Sequence, residues 1–331
     1  MNTPLDFLAV GDIVTEPFIR LQDAHVTCRI DKTACEICMR WGDKIPYESA
    51  TLCAGVGNAA NAAVSAARLG LASSLHAYVG DDRYGKEMLD TLAGNGVGTE
   101  FMITEAGKQS NYHYVLWYEN ERTILVKHES YNYAVPHIEQ APKWLYLTSL
   151  AANALAYQDA LVELLASWRD TKLAFQPGTF QLQAGTEACA SLYKHSYIVF
   201  CNKEEAQKIL GTEEADIKVL LSGMRSLGPT VSVITDGTKG AHASDGTSTW
   251  FVPMYPDVRG PYERTGAGDA FASTVVAALA LGKTLEEALL WGPINSMSVV
   301  QDIGAQKGLL TREQIEKYLA DAPDTYKLEV L

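Results

Sequence analysis

The sequence predicts an α/β protein: a mainly parallel sheet flanked by helices on both faces, with a small β-sheet lid beside it. Three observations carry this reading. Short apolar runs alternate with stretches of helical periodicity along most of the chain, as in FLAV before NAANAAVSAARL and SYIVFC before KEEAQKIL. The connections between them are short, which suits repeated strand and helix units stacked into one sheet. Two stretches, 14–51 and 99–130, break the alternation, and the second reads as a hairpin in NYHYVLWYENERTILVKHE.

The elements follow in order. Phe7 to Val10 is a buried strand ending at Gly11-Asp12, after which residues 14–51 turn polar and irregular, an insertion projecting from the core. Asn58 to Leu69 carries Ala, Val and Leu at helical spacing and stops at Gly70, a usual helix end. Leu75 to Val79 is a strand, and Lys86 to Ala93 a helix. In the hairpin, Glu119-Asn120-Glu121 forms the turn, and the pair of strands joins the insertion as the lid. A second series starts at Trp144 to Thr148: helix 156–168, strand 172–176, helix 185–193, strand 197–201, helix 203–210, strand 231–235 and a hairpin to 252. Helices 268–281 and 284–299 and one from 311 complete it. No linker divides the chain, so residues 1–331 are expected to form one domain without repeats.

Composition excludes several function classes. The chain of 331 residues has 47% apolar and 20% charged residues, an ordinary globular balance. Its formal net charge of −13 argues against a nucleic-acid or anionic-membrane surface, since both need clustered Lys and Arg. The start MNTPLDFLAVGDI lacks the features of a signal peptide, and no run is long and apolar enough to span a bilayer. A cytoplasmic protein with reduced thiols is expected. Three of the six cysteines cluster as His25-x2-Cys28-x6-Cys35-x2-Cys38. This set offers four zinc ligands for a structural metal, or else reduced cysteines in a polar insertion.

Ligands of such sheets bind at the carboxyl ends of the strands, so the loops there are the place for motifs. In YERTGAGDAFAS, the glycines of Gly266-Ala267-Gly268-Asp269 let backbone amides approach an anion at a helix start. An aspartate beside such a site is electrostatically awkward unless it serves chemistry, for example by taking a hydroxyl proton as that oxygen attacks phosphorus. The alternative is an ordinary Asp in a helix first turn. Gly55-Val56-Gly57-Asn58-Ala59-Ala60 matches a dinucleotide fingerprint with Asp81 downstream, an oxidoreductase reading. The polar IPYESATLCA before it weakens that reading, and Asn58 and Asn61 suit hydroxyl groups better than pyrophosphate. Asn202-Lys203-Glu204-Glu205 offers an N-cap, or Glu205 as a ligand to magnesium or its waters. Thr235-Asp236-Gly237-Thr238-Lys239-Gly240 is a turn that would serve a nucleotide only in such company.

In order and spacing, GNAANAAVSAARLG (57–70), VGDDRYG (79–85), NKEE (202–205), ITDGTKGA (234–241), TGAGDAFAS (265–273) and GAQ (304–306) resemble the ribokinase-like (PfkB) carbohydrate kinase family over nearly the whole chain. The resemblance implies a doubly wound sheet with a β lid and transfer of the ATP γ-phosphoryl group to a hydroxyl. By resemblance, Asp269 matches the catalytic base and Gly266, Ala267 and Gly268 the anion hole. Asn202 and Glu205 match the motif that organises magnesium and phosphate, and Thr235 and Gly237 the nucleotide loop. Glu16, the Gly57 loop with Asn58, and Asn61 would hold the substrate.

Departures from the family bear on function. Glu16 stands where Asp is commoner, so its carboxylate reaches about one methylene further, and Val56 stands where Gly is usual. Glu263 and Arg264 replace an Asp-Thr pair whose Asp helps carry a monovalent cation in some members, which argues against potassium activation. The expected activity is therefore ATP- and Mg2+-dependent phosphorylation of a small sugar, with a nucleoside as the alternative because Tyr112, Tyr114, Trp117 and Tyr118 could stack on a base. An oxidoreductase and a silent binding protein are the rivals from other classes. Exposed lid edges favour a homodimer through the lid.

Overall fold

The computed structural model describes residues 4–28, 35–119, 121–260 and 262–331. Asn120 of the anticipated lid turn and residues 29–34 of the insertion lie outside them. The main sheet has nine strands in the order Glu329–Val330, Thr249–Val252, Ala241–Ser244, Val231–Thr235, Ser196–Asn202, Lys172–Phe175, Trp144–Leu147, Phe7–Val10, Ser73–His76. The last six run parallel to one another, and the first three are antiparallel additions at one edge. Placing the amino-terminal strand second from the far edge brings the ends of distant segments together above the sheet.

The continuous apolar runs follow from burial on both faces. Phe7 and Ala9 enter one core while Leu8 and Val10 enter the other, and Trp144/Tyr146 against Leu145/Leu147 repeat the split. Helices Asn58–Arg68, Ala267–Ala280 and Leu285–Val299 cover the first face. Leu155–Ser167, Lys203–Leu210 and Ile217–Ser226 cover the second. Buried Ala59, Ala60, Ala62, Ala63 and Ala66 face the equally small Ala270, Ala277 and Ala278, so two helices lie close under the site.

Four strands form the lid in the order Glu121–Leu125, Tyr114–Tyr118, Val14–Leu21, Tyr47–Val56. The reading of 14–51 as irregular is thus corrected. In Tyr47–Val56 the first four residues and Leu52 are exposed and only Gly55 and Val56 are buried, and a strand exposed on both sides over its first half writes no alternation into its sequence. A separate hairpin pairs His25–Cys28 with Cys35–Cys38.

The zinc reading of His25, Cys28, Cys35 and Cys38 is also corrected. Cys28 and Cys35 face each other across this hairpin and are joined by a disulfide, so neither has a thiolate to give a metal. The expectation of reduced thiols fails at this pair, while Cys38 stays free. Among the described residues no group of three or more His, Cys, Asp or Glu side chains could hold a metal ion. The expected helix 185–193 is split: Gly185 at φ 92° ends helix Thr179–Ala184, and a new one runs Ala190–His195. Helix Ile217–Ser226, started by the Asp216 side chain accepting from the Lys218 N–H, was not anticipated. No described helix is long and apolar enough to cross a membrane.

Candidate active site

A cleft of about 960 Å³ opens where the parallel strands end, between sheet and lid. Strand ends supply Gln176, Asn202 and Thr235, the helix Ala267–Ala280 supplies its first turn, and the lid supplies Glu121, Arg122 and Ile124.

Gly266 caps that helix with φ 81° and ψ 0°, the left-handed region that glycine enters without cost. A Cβ there would lie 2.3 Å from the Ala305 Cβ, so space as well as conformation demands glycine. Asp269 follows in the first turn and is buried. Its Oδ2 accepts from Asn61 Nδ2 at 2.9 Å and its Oδ1 from Gln176 Nε2 at 3.2 Å. Burial pushes this carboxyl up to about 6, against the two amide donors that favour its charged form. The amides are themselves held: Gln306 Nε2 donates to Asn61 Oδ1 at 3.1 Å, and the Tyr146 hydroxyl donates to Gln176 Oε1. A carboxylate ionised near neutrality and aimed by fixed partners is suited to take a proton.

Asn202 and Glu205 form a reciprocal cap on helix Lys203–Leu210. Asn202 Oδ1 accepts from the Glu205 N–H at 2.8 Å, and Glu205 Oε2 accepts from the Asn202 N–H at 2.9 Å. Burial, and after it the negative charge of Asp269, push the Glu205 carboxyl upward. Cap and functional reading coexist, since Glu205 lines the cleft with Oε1 uncommitted among the described residues. Thr235 and Gly237 line the opposite end together with Asp236, Thr238 and Lys239.

Glu16, Gly57, Asn58 and Asn61 line the lid side of the cleft. Gly57, at φ 104°, starts helix Asn58–Arg68, and a Cβ there would lie 3.1 Å from the Asp12 carbonyl oxygen. Glu16 is buried and pairs with His113, its Oε1 lying 3.2 Å from Nδ1. Thus the cleft gathers Asp269, the 266–268 loop, Glu205, Asn202, Thr235, Gly237 and the substrate-side residues. The cysteine cluster is not among its lining residues.

Glu263 is buried, and its Oε1 accepts from the Thr265 N–H at 2.8 Å and the Thr265 hydroxyl at 2.5 Å. Arg122 of the lid stands 3.7 Å from that oxygen. Nearby, Arg20 lies 4.7 Å over the Trp117 ring and donates to the Tyr262 hydroxyl at 3.1 Å. The lid therefore docks on the segment that leads into Gly266.

Sequence reasoning missed Gln176, Asp12, His113, His128 and Arg122. The rule that strand ends carry ligand contacts would have found the first two, because both directly follow or nearly follow buried strands. The histidines and Arg122 sit among lid aromatics, where nothing local separates them from surface polar residues.

A family model described as pfkB family carbohydrate kinase matches residues 42–312. The chain is 27% identical over 279 residues to a ribokinase of Bacillus subtilis, covering 80% of this chain and 87% of that protein. Two solved structures share its fold. A nucleoside kinase of Methanocaldococcus jannaschii aligns with TM-score 0.76 at 17% identity, covering 97% of this chain and 100% of that one. Arabidopsis thaliana ribokinase complexed with ribose and ATP aligns with TM-score 0.76 at 18% identity, covering 96% and 99%.

Proposed function

The chain belongs to the pfkB family of carbohydrate kinases, and from that membership we propose that it transfers the ATP γ-phosphoryl group to a hydroxyl of a small sugar. The observation that carries the reading is Asp269, a buried carboxyl held by two amides in the first turn of a glycine-started helix. In this reading the whole chain is one catalytic unit. Glu16, Gly57, Asn58 and Asn61 hold the acceptor, and Asp269 takes the proton of its attacking hydroxyl. The amides of Gly266, Ala267 and Gly268 face the charge that builds on the transferred group. Thr235 and Gly237 border the nucleotide, and the lid excludes water.

Magnesium fits the donor set. One buried carboxylate with a free oxygen, supplemented by nucleotide phosphates and water, is an ordinary Mg2+ site, so the lack of a larger acidic cluster is no obstacle. Glu205, oriented by Asn202, would hold the ion or its waters, and the ion when bound would neutralise phosphate charge. Potassium has less to offer here, since the buried Glu263 already has Arg122 for company.

A nucleoside acceptor is the second reading. Tyr112, Tyr114, Trp117 and Tyr118 are not among the cleft's lining residues. Tyr112 instead packs on Tyr84 at 4.7 Å, and Trp117 on Tyr262 at 5.0 Å. A coupled assay with ATP across D-ribose, D-fructose, D-gluconate, adenosine and inosine tests the proposal. Turnover of a sugar is expected, and no turnover of any sugar would overturn it.

The lid's exposed side supports a homodimer, in keeping with a cytoplasmic enzyme. Tyr114 and Leu125 are directly opposed cross-strand partners, and both remain about half exposed at 46% and 53%. Light scattering should give about twice the chain mass of 36.0 kDa for the native protein, and the chain mass for the double variant Tyr114→Glu/Leu125→Glu. A monomeric native protein would refute the assignment.

A further inference from the structure

Beyond the cleft, under the lid, lies a chamber of about 140 Å³ that shares Glu16, Gly57, Asn58 and Ile124 with it. Two carboxylate–histidine pairs wall it. Asp12 follows the main-sheet strand Phe7–Val10, whereas Glu16 lies on the lid strand Val14–Leu21 and the two imidazoles flank the lid strands Tyr114–Tyr118 and Glu121–Leu125. Asp12 Oδ2 meets His128 Nδ1 at 2.7 Å, and Glu16 Oε1 meets His113 Nδ1 at 3.2 Å. The two rings lie 5.0 Å apart, and Phe180 packs edge-on against His128 at 5.1 Å.

The two carboxylates are not equivalent. Asp12 has both oxygens occupied, the second by the Tyr133 hydroxyl at 2.7 Å. Glu16 has only Oε1 occupied, and its Oε2 has no partner among the described residues. Glu16 is thus the carboxylate with an oxygen left for a ligand, yet its longer side chain has more torsions to fix than an aspartate. His113 fixes them: it is 8% exposed, its Nδ1 holds Glu16, and its Nε2 has no partner among the described residues. Val14, Ile124, Val126 and Phe180 complete the lining with Ser149 and Thr179.

We propose that His113 is a positioning residue that turns the free Glu16 oxygen toward a hydroxyl of the acceptor. This rests on the kinase reading above. The test uses the sugar that the native enzyme phosphorylates best in the acceptor panel, with KM measured separately for sugar and for ATP. His113→Leu removes the donor to Glu16 and should raise the sugar KM by about ten- to a hundredfold, the loss of one hydrogen bond to a charged group. The ATP KM and calorimetric ADP binding should stay within about twofold, which also verifies folding. His113→Asn, whose amide N–H falls close to where Nδ1–H was, should restore the sugar KM to within about threefold of native. An unchanged sugar KM in His113→Leu, or a parallel rise in both KM values, overturns the inference while the kinase reading stands. A native enzyme that phosphorylates nucleosides and no sugar overturns the sugar reading on which the inference rests. One that phosphorylates nothing overturns both readings.

Discussion

Asp269→Asn is expected to lower kcat by about 10³-fold, within the range for loss of a general base, with the ATP KM within about threefold of native. The substitution keeps shape and one acceptor oxygen but cannot take a proton. Native enzyme should show a matching acidic limb: the base must be ionised, its carboxyl is pushed up to about 6, and so kcat/KM should fall as pH drops through about 6. The same shift sets the sign for stability. A carboxyl bound to its proton more tightly when folded costs stability above about 6, and the cost is relieved as pH falls toward its ordinary 3.8. The asparagine variant should therefore lose the acidic limb in its residual rate and lose this part of the pH dependence of melting. Retention of most activity at pH 7.5 would remove Asp269 as the base.

The parts of the site that were legible in the sequence are backbone features. Gly266, Gly57 and the Asn202–Glu205 cap are required by local geometry, so they leave short motifs that can be read in isolation. Gln176 and Asp12 are different, because only the sheet order brings strands 172–175 and 7–10 near helix 267–280. In the main sheet, two-sided burial wrote continuous apolar runs, and nearly every strand could be placed from them. The lid resisted for the opposite reason. Its outer strand Tyr47–Val56 has no core to pattern its first half, and the Cys28–Cys35 pairing depends on a hairpin register that spacing alone does not give.

Lid and loop also explain each other. Arg20, Trp117 and Arg122 lie on three lid strands or their ends, and all three meet Tyr262 or Glu263, a few residues before the anion-hole loop. Seating the lid thus places aromatic and charged contacts on the chain that must hold Gly266 in its left-handed conformation. Substrate enclosure and loop geometry share one contact surface, which is a physical route for lid closure to complete the site.

Gly266→Ala should separate that geometry from the chemistry when set beside Gly268→Ala. At 266 an alanine must adopt φ 81° and thrust its methyl to 2.3 Å from the Ala305 Cβ and 2.7 Å from its Cα. A backbone atom cannot rotate aside, so the turn or residue 305 must move, at about 2–4 kcal/mol. Ala305 precedes Gln306, which holds Asn61 and through it Asp269, so the displacement reaches the base. Thermal melting should fall by about 3–6 °C and kcat by at least about 100-fold, the loss seen when one oxyanion donor is misplaced. At 268 the φ is unexceptional and the nearest atom to a new Cβ is Gln176 Nε2 at 4.0 Å. That variant should melt like the native protein, while its methyl stands in the cleft where phosphate must approach, so kcat/KM for ATP falls without loss of stability. If both variants keep native turnover, the 266–268 amides do not face the transferred group. If only Gly266→Ala loses activity, the loop's part is to hold Asp269 in place.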